Sequence, residues 1–177
     1  MAAAVAGAIA GRPISSSLTR KSISGFTAVL DPRTTANKNA DAERGLLVIE
    51  QNGENIRCRH GITLDSTSAA RSEISVVRAK FNMISSIKLT LENQVIGQII
   101  ADANSPFVVR SAIAGVLSAL QSQGALLDYS QIHAEISSIN PTLIKASFAY
   151  RPAFTLNYIQ VEFSLDLTAQ TVVGAEV

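Results

Sequence analysis

The sequence predicts an α+β domain: a mixed β-sheet of about four to six strands, two main helices on one of its faces, and extended arms at the N- and C-termini. Three observations carry that prediction. Segments in the final third alternate apolar and polar residues with a period of two, as strands with one buried face do. The middle of the chain instead carries two apolar stripes at spacings of three and four, the mark of amphipathic helices. One apolar face per strand calls for a covering layer on that side only, and the two helices supply it.

Residues 2–10 are rich in alanine, the best helix former, and predict a short helix whose apolar sides need something to pack on. Such an opening reads as the interior of a longer chain. Residues 12–45 contain Ser15-Ser-Ser, Asp31-Pro-Arg and Thr34-Thr, and read as a long surface connection with at most short elements. A connection of that length is uncommon inside a compact domain and is often ordered by neighbours. Leu46 to Gln51 and Ile56 to His60 flank Asn52-Gly53, a pair tolerant of positive φ, and so predict a hairpin. A polar loop from Asp65 to Ser72 follows.

Ile74-Ser-Val-Val then enters the first helix, with Phe81, Ile84, Ile87, Leu91 and Val95 on its stripe. Ser105-Pro106 supplies an N-cap and a first-turn proline for the second. Its stripe is Val109, Ile113, Val116, Leu117 and Leu120, and Gly124 stops it. In the strands that follow, Ile132, Ala134 and Ile136 face away from Gln131, His133 and Glu135. Ile144, Ala146, Phe148 and Tyr150 oppose Lys145 and Ser147. Ile159, Val161, Phe163, Leu165 and Leu167 oppose Gln160, Glu162, Ser164 and Asp166.

Composition limits the chemistry. The chain has 177 residues, 47% of them apolar, enough for one packed core. A net charge of +1, no tryptophan and 5% aromatics argue against nucleic acid as a partner, although Arg57 and Arg59 share a strand face and Arg20-Lys21 lies in the early connection. Bases outnumber acids up to Lys88, and acids outnumber Lys145 and Arg151 after Gln121; the asymmetry fits either an oriented subunit or ordinary solvated surface. A single cysteine, Cys58, excludes an intrachain disulfide and points to a reducing compartment. The N-terminus lacks the basic region of a signal peptide, and no run approaches the roughly 20 apolar residues of a membrane span, so a soluble, intracellularly made protein without a membrane partner is expected.

Cys58 and His60 lie two apart on a strand and share a face, but nothing near them in sequence supplies the orienting group a nucleophile needs. Two histidines and one cysteine without ligand spacing fall short of a zinc set. His133 sits on a polar strand face, and Asp65, Glu73 and Glu92 are scattered. Gly7, Gly11 and Gly25 match no phosphate loop. No catalytic site, metal or cofactor is expected.

The ordered series of motifs resembles the C-terminal, inner domain of contractile tail sheath proteins, which form the outer tubes of contractile-tailed phages and related injection systems. The resemblance runs from about Thr19 to Thr168. It takes in Leu18-Thr-Arg-Lys-Ser-Ile-Ser-Gly25, Gly61-Ile-Thr, Ile74-Ser-Val-Val-Arg78, the second helix with Gly124-Ala-Leu, and the Tyr129 strand. Its most specific part is Arg151-Pro-Ala with Leu156-Asn-Tyr-Ile-Gln-Val-Glu-Phe163. Full sheath subunits are much longer and carry outer domains before this region, so a split or truncated sheath component, or reuse of the domain in another tail protein, is implied.

The resemblance implies a structural virion protein, assembled in the host cytoplasm, whose partners are its own copies or a companion sheath chain, the tail tube protein, and the baseplate or tail terminator. It implies three parts: residues 1–45 as an N-terminal helix and connection, 46–168 as the inner domain, and 169–177 as an extended arm. Within the arm, Thr171, Val172 and Val173 would add a strand to a neighbour's sheet. Residues 105–123, rather than 79–95, would face the tube through Arg110, Gln121 and Gln123. The alternative is a tail-completion or sheath-cap protein that forms a single ring at the tail end.

Overall fold

A computed structural model describes residues 1–30, 33–157 and 159–162. The element order is α1 (Ala2–Ala10), α2 (Thr35–Glu43), β1 (Ile49–Asn52), β2 (Asn55–Cys58), α3 (Ala69–Ser72), α4 (Ile74–Gln94), α5 (Ser105–Ser122), β3 (Leu126–Ile136) and β4 (Ile144–Pro152). The α+β class holds. Among the described residues, however, the four strands form two separate antiparallel hairpins, β1–β2 and β3–β4, where one mixed sheet was expected. Two short sheets arise because each hairpin is packed against its own helical partners.

The first core joins Leu18, Ile23, Ile49, Ile56 and Cys58, with Ala4, Val5, Ala8 and Ile9 of α1 packed against it. The apolar side of α1 is therefore covered from within the chain. Residues 20–23 run antiparallel along β2, with Ile23 N donating to Ile56 O at 2.8 Å and Cys58 N to Lys21 O at 3.0 Å. They supply backbone partners to the outer edge of the hairpin. The turn lies between the expected flanks: Gln51 pairs with Ile56 and Asn52 with Asn55, leaving Gly53 and Glu54 as the loop. Gly53 has φ +61°, a conformation glycine adopts without a Cβ penalty. Thr34 caps α2 by accepting from Asn37 N at 3.3 Å, and this helix is the short element within the 12–45 connection.

The second core is larger and lies between α4, α5 and the β3–β4 hairpin. Helix α5 buries Val109, Ile113, Leu117 and Leu120, with Val116 partly covered, as its stripe predicts. Its start differs slightly. Asn104 is the N-cap, Ser105 is already helical, and Asp102 Oδ1 accepts from the backbone N–H groups of Asn104 and Ser105 at 2.9 and 3.0 Å.

In its first half helix α4 is rotated from its expected face, whereas Val95 at its end joins the core as expected. Its buried residues are Ser75, Val76, Ala79 and Met83, with Ile87 and Leu91 packed alongside, whereas Phe81 and Ile84 are exposed. The reason is that α4 carries apolar residues on more than one side, and the approach of α5 selects the line through Val76, Ala79 and Met83.

On β3, Ala134 is buried and Tyr129, Ile132 and Ile136 half-buried, over exposed Gln131, His133 and Glu135. Tyr129 and Ile132 are three residues apart yet both join the core. The register shift between Ser130 and His133, with Gln131 at φ +55°, is a β-bulge that absorbs the extra residue and keeps both side chains on the inner face.

The strand expected from Ile159 onward is not formed in the described residues 159–162, which have no regular secondary structure. Phe163, Leu165 and Leu167 lie outside the described residues, as do Thr171, Val172 and Val173.

Candidate assembly surfaces

The β3–β4 hairpin presents one face to α5 and leaves both long edges without a strand partner among the described residues. Such edges are rows of unpaired backbone donors and acceptors, ready to receive another strand. The β1–β2 hairpin differs, because residues 20–23 already occupy the β2 side. Beyond β4, residues 153–157 turn back toward the start of α4, and Leu156, Ile159 and Val161 then stand 81%, 76% and 74% exposed. Ile159 and Val161 alternate with Gln160 and Glu162, a strand-like pattern without a strand partner among the described residues.

The exposed side of α5 carries Arg110, whose guanidinium lies 5.9 Å from the centre of the Phe107 ring, a cation–π distance. Gln121 follows eleven residues later, about three turns on, and so falls on the same side. It is tied down by donating through Nε2 to Leu127 O at 3.0 Å. Gln123, at the C-cap, is exposed but points well around the helix, toward Ile14 and Pro13. The structure brings Arg110 and Gln121 into line and leaves Gln123 apart from them.

The charged groups are organised for structure. Glu50, buried on β1, pairs with Arg57 at 2.9 Å and with Arg59. Burial pushes its carboxyl up, but the hydrogen bonds and charges of the two guanidiniums outweigh this and hold it below the usual range. Arg59 also donates to Asn39 Oδ1 at 3.0 Å through Nε, which fastens α2 to the hairpin. Arg78 donates to the carbonyls of Arg12 and Pro13, linking α4 to the end of α1.

Cys58 and His60 do not form a catalytic pair. The thiol donates to the His60 backbone carbonyl at 3.1 Å, and burial pushes it up to about 12. A thiol so far from ionisation is a poor nucleophile. His133 is exposed, 3.4 Å from Glu135. Among the described residues, no three His, Cys, Asp or Glu side chains gather in a metal-binding group, and no helix is long and apolar enough to cross a membrane.

No family model matches the chain. A tail sheath protein of Mycobacterium phage Bxz1 is 34% identical over 171 residues, which is 93% of this chain and 29% of that protein. The fold is shared with a chain of the anti-feeding prophage baseplate, at a TM-score of 0.77 and 17% identity over 94% of this chain and 49% of the other. The helical sheath of the same particle in its contracted state gives 0.75 at 17% identity, over 93% and 49% of the two chains. The sheath tail protein of Listeria innocua gives 0.71 at 17% identity, over 85% and 38%. These structural likenesses establish fold, and the sequence likeness adds kinship. The chain spans less than a third of its curated relative, and in sequence and in fold it is similar to part of a tail sheath protein.

Proposed function

We propose that this chain is a structural, non-enzymatic subunit of a contractile tail sheath, or the inner C-terminal part of one. The observation that carries this reading is the 34% identity to a tail sheath protein across 93% of the chain. Residues 46–168 are the inner domain, 1–45 its N-terminal helix and connection, and 169–177 an extended arm that reaches neighbours. The chain works in the virion tail after assembly in the host cytoplasm. Its partners are further copies or a companion sheath chain, the tail tube, and the baseplate or terminator at the tail ends.

Strand exchange links the subunits. Thr171, Val172 and Val173 add to a neighbour's sheet, and the open edges of β3–β4 support this because an added strand would satisfy their backbone groups. Helix α5 faces the tube through Arg110 and Gln121, with Gln123 at the margin of that contact. Their exposure supports the assignment, as does their polarity: a surface that must release when the lattice shortens is served better by polar contacts than by a large apolar one. The work is mechanical, an extended lattice passing to a compact one while exchanged strands keep the subunits connected.

The test is negative-stain microscopy of the chain alone and with neighbouring gene products. Helical or stacked-ring assemblies are expected with a sheath or tube partner, and deletion of residues 169–177 is expected to abolish them. Single closed rings would replace this reading with that of a cap. A chain that assembles with no tail protein would overturn both.

A further inference from the structure

Glu73 and Asn157 are 84 residues apart in sequence and meet where the chain leaving β4 crosses the start of α4. Asn157 Nδ2 donates to Glu73 Oε1. The other oxygen of each group, Glu73 Oε2 and Asn157 Oδ1, is buried without any hydrogen-bond partner. Both are acceptors as written, so neither can satisfy the other, and leaving two such atoms dry is costly. A single proton removes both deficits.

We infer that Glu73 is protonated on Oε2 and donates to Asn157 Oδ1, so that acid and amide form a closed pair of two hydrogen bonds clasping residues 153–157 to the beginning of α4. The carboxyl is well placed to be neutral. Glu73 is only 8% exposed, and although it is the N-cap of α4 its side chain makes no capping bond to the free N–H groups there. Its main chain is fixed by a bridge to Ile62 and by the bond from Ile74 N to Gly61 O at 3.0 Å. The carboxyl therefore has a defined position from which to reach Asn157.

The charges on the surrounding elements are engaged elsewhere. Arg71 on α3 pairs with Asp65 at 3.4 Å, and Arg78 on α4 binds the carbonyls of Arg12 and Pro13. His60, on the segment that bridges to Glu73, is pushed toward its neutral form by burial and by Arg59 and Arg20. Residues 153–157 carry no ionisable side chain. Burial accordingly raises the Glu73 carboxyl above its usual range, against the opposing effects of the Asn157 hydrogen bond and of the neighbouring Ser75 hydroxyl.

The sign of the pH dependence follows. The clasp is complete at low pH and loses its second hydrogen bond as pH rises through the raised pKa of Glu73. If the chain serves in a sheath as proposed above, the same clasp sets the point from which its C-terminal arm departs. Only that consequence rests on the functional reading.

The test uses the 177-residue chain in isolation, with carbon-detected NMR of the Glu73 carboxyl and hydrogen exchange of residues 153–162 from about pH 4 to about pH 8. The carboxyl is expected to titrate above the ordinary glutamate range. Exchange protection, corrected for intrinsic rates, should fall with rising pH by on the order of five-fold, the factor one net hydrogen bond is worth. Glu73→Gln places an N–H where the acid has its O–H and should keep the low-pH protection across the whole range. Asn157→Leu should lose it at every pH. An ordinary or lowered titration of Glu73, as a bridging water would produce, would overturn the inference. So would a Glu73→Gln chain as unprotected as Asn157→Leu.

Discussion

The rotation of α4 can be tested with two adjacent residues. Met83 is 2% exposed within the second core, and Ile84, one position on, is 49% exposed. Truncating Met83 to alanine removes the Cγ, Sδ and Cε positions, each worth about 0.8 kcal/mol as buried methylene-sized groups. The surrounding α5 side chains can only partly close the hole, so the expected total is about 3 to 4 kcal/mol. Ile84→Ala removes as many heavy atoms, but about half of their surface already meets water, and alanine regains about 0.4 kcal/mol of helix propensity. Its net cost should stay under about 1 kcal/mol. Urea unfolding of the isolated chain reads both. With a slope of about 2 kcal/mol per molar, the Met83 midpoint should fall by about 1.5 M and the Ile84 midpoint by less than about 0.5 M. Equal shifts, or a larger one for Ile84, would refute the packing and restore the stripe through Phe81 and Ile84 that periodicity alone predicts.

Three further outcomes are expected. Glu50→Gln leaves Arg57 and Arg59 without their carboxylate and should cost about 2 kcal/mol at neutral pH, between the values for exposed and buried pairs. Because the folded pKa of Glu50 is lowered, the wild-type advantage should be present above the ordinary glutamate value and vanish as pH falls through the folded one, which acid unfolding of both chains would show. Cys58 should resist iodoacetamide in the native chain and react only after unfolding, since its thiol is buried and pushed up to about 12; mass spectrometry after timed labelling checks this. Gly45→Ala should destabilise more than Gly53→Ala by thermal melting. Gly45 has φ +82° and an added Cβ would lie 2.9 Å from Leu64 backbone atoms, whereas at Gly53 the space is open and only about 1 kcal/mol of left-handed strain is added.

How far the sequence could be read depended on whether a residue's partner was local. Helix α5 was legible because its stripe, proline and stopping glycine all lie within it, and because it buries one side only. Helix α4 was legible as a helix but not in its orientation, since Phe81, Ile84, Met83 and Leu91 offer several plausible lines and the small core residue Ala79 contributes little to a periodicity. The α2 helix, TANKNADAE, has no apolar stripe at all. It is held by its Thr34 cap and by Asn39 meeting Arg59 from a hairpin twenty residues away. The bulge at Gln131 disturbs an alternation that looks regular from Ile132 onward, so only the inner position of Tyr129 reveals it. Glu73 with Asn157 had no local signature, because neither residue type nor spacing announces a contact across 84 residues. Of the expected surface residues, Arg110 and Gln121 were placed together by helical geometry, and Gln123 was separated from them by the same geometry.

The exposed pattern at Ile159 and Val161 raises a separate question from the exchange proposed for Thr171 to Val173: whether this earlier stretch also lies on a neighbour's sheet or merely trails. Both side chains are largely in water in the single chain, 76% and 74% exposed, so replacing them with lysine should change its unfolding free energy by no more than about 0.5 kcal/mol. In an assembly where this stretch lies on a neighbour's sheet, each would bury most of an aliphatic side chain, worth about 1.5 to 3 kcal/mol when complete. Lysine at either position would forfeit that and place a charge at the contact. The assembly threshold, measured by sedimentation against concentration, should then rise roughly ten-fold or more per substitution. Substituting Gln160, on the alternate side of the same stretch, should leave the threshold near its original value, because period-two alternation sends it away from the buried face. If Val161→Lys unfolds the single chain, the residue serves the subunit's own core. If all three substitutions leave assembly unchanged, the apolar alternation has no partner in the lattice, and the links between subunits must lie elsewhere.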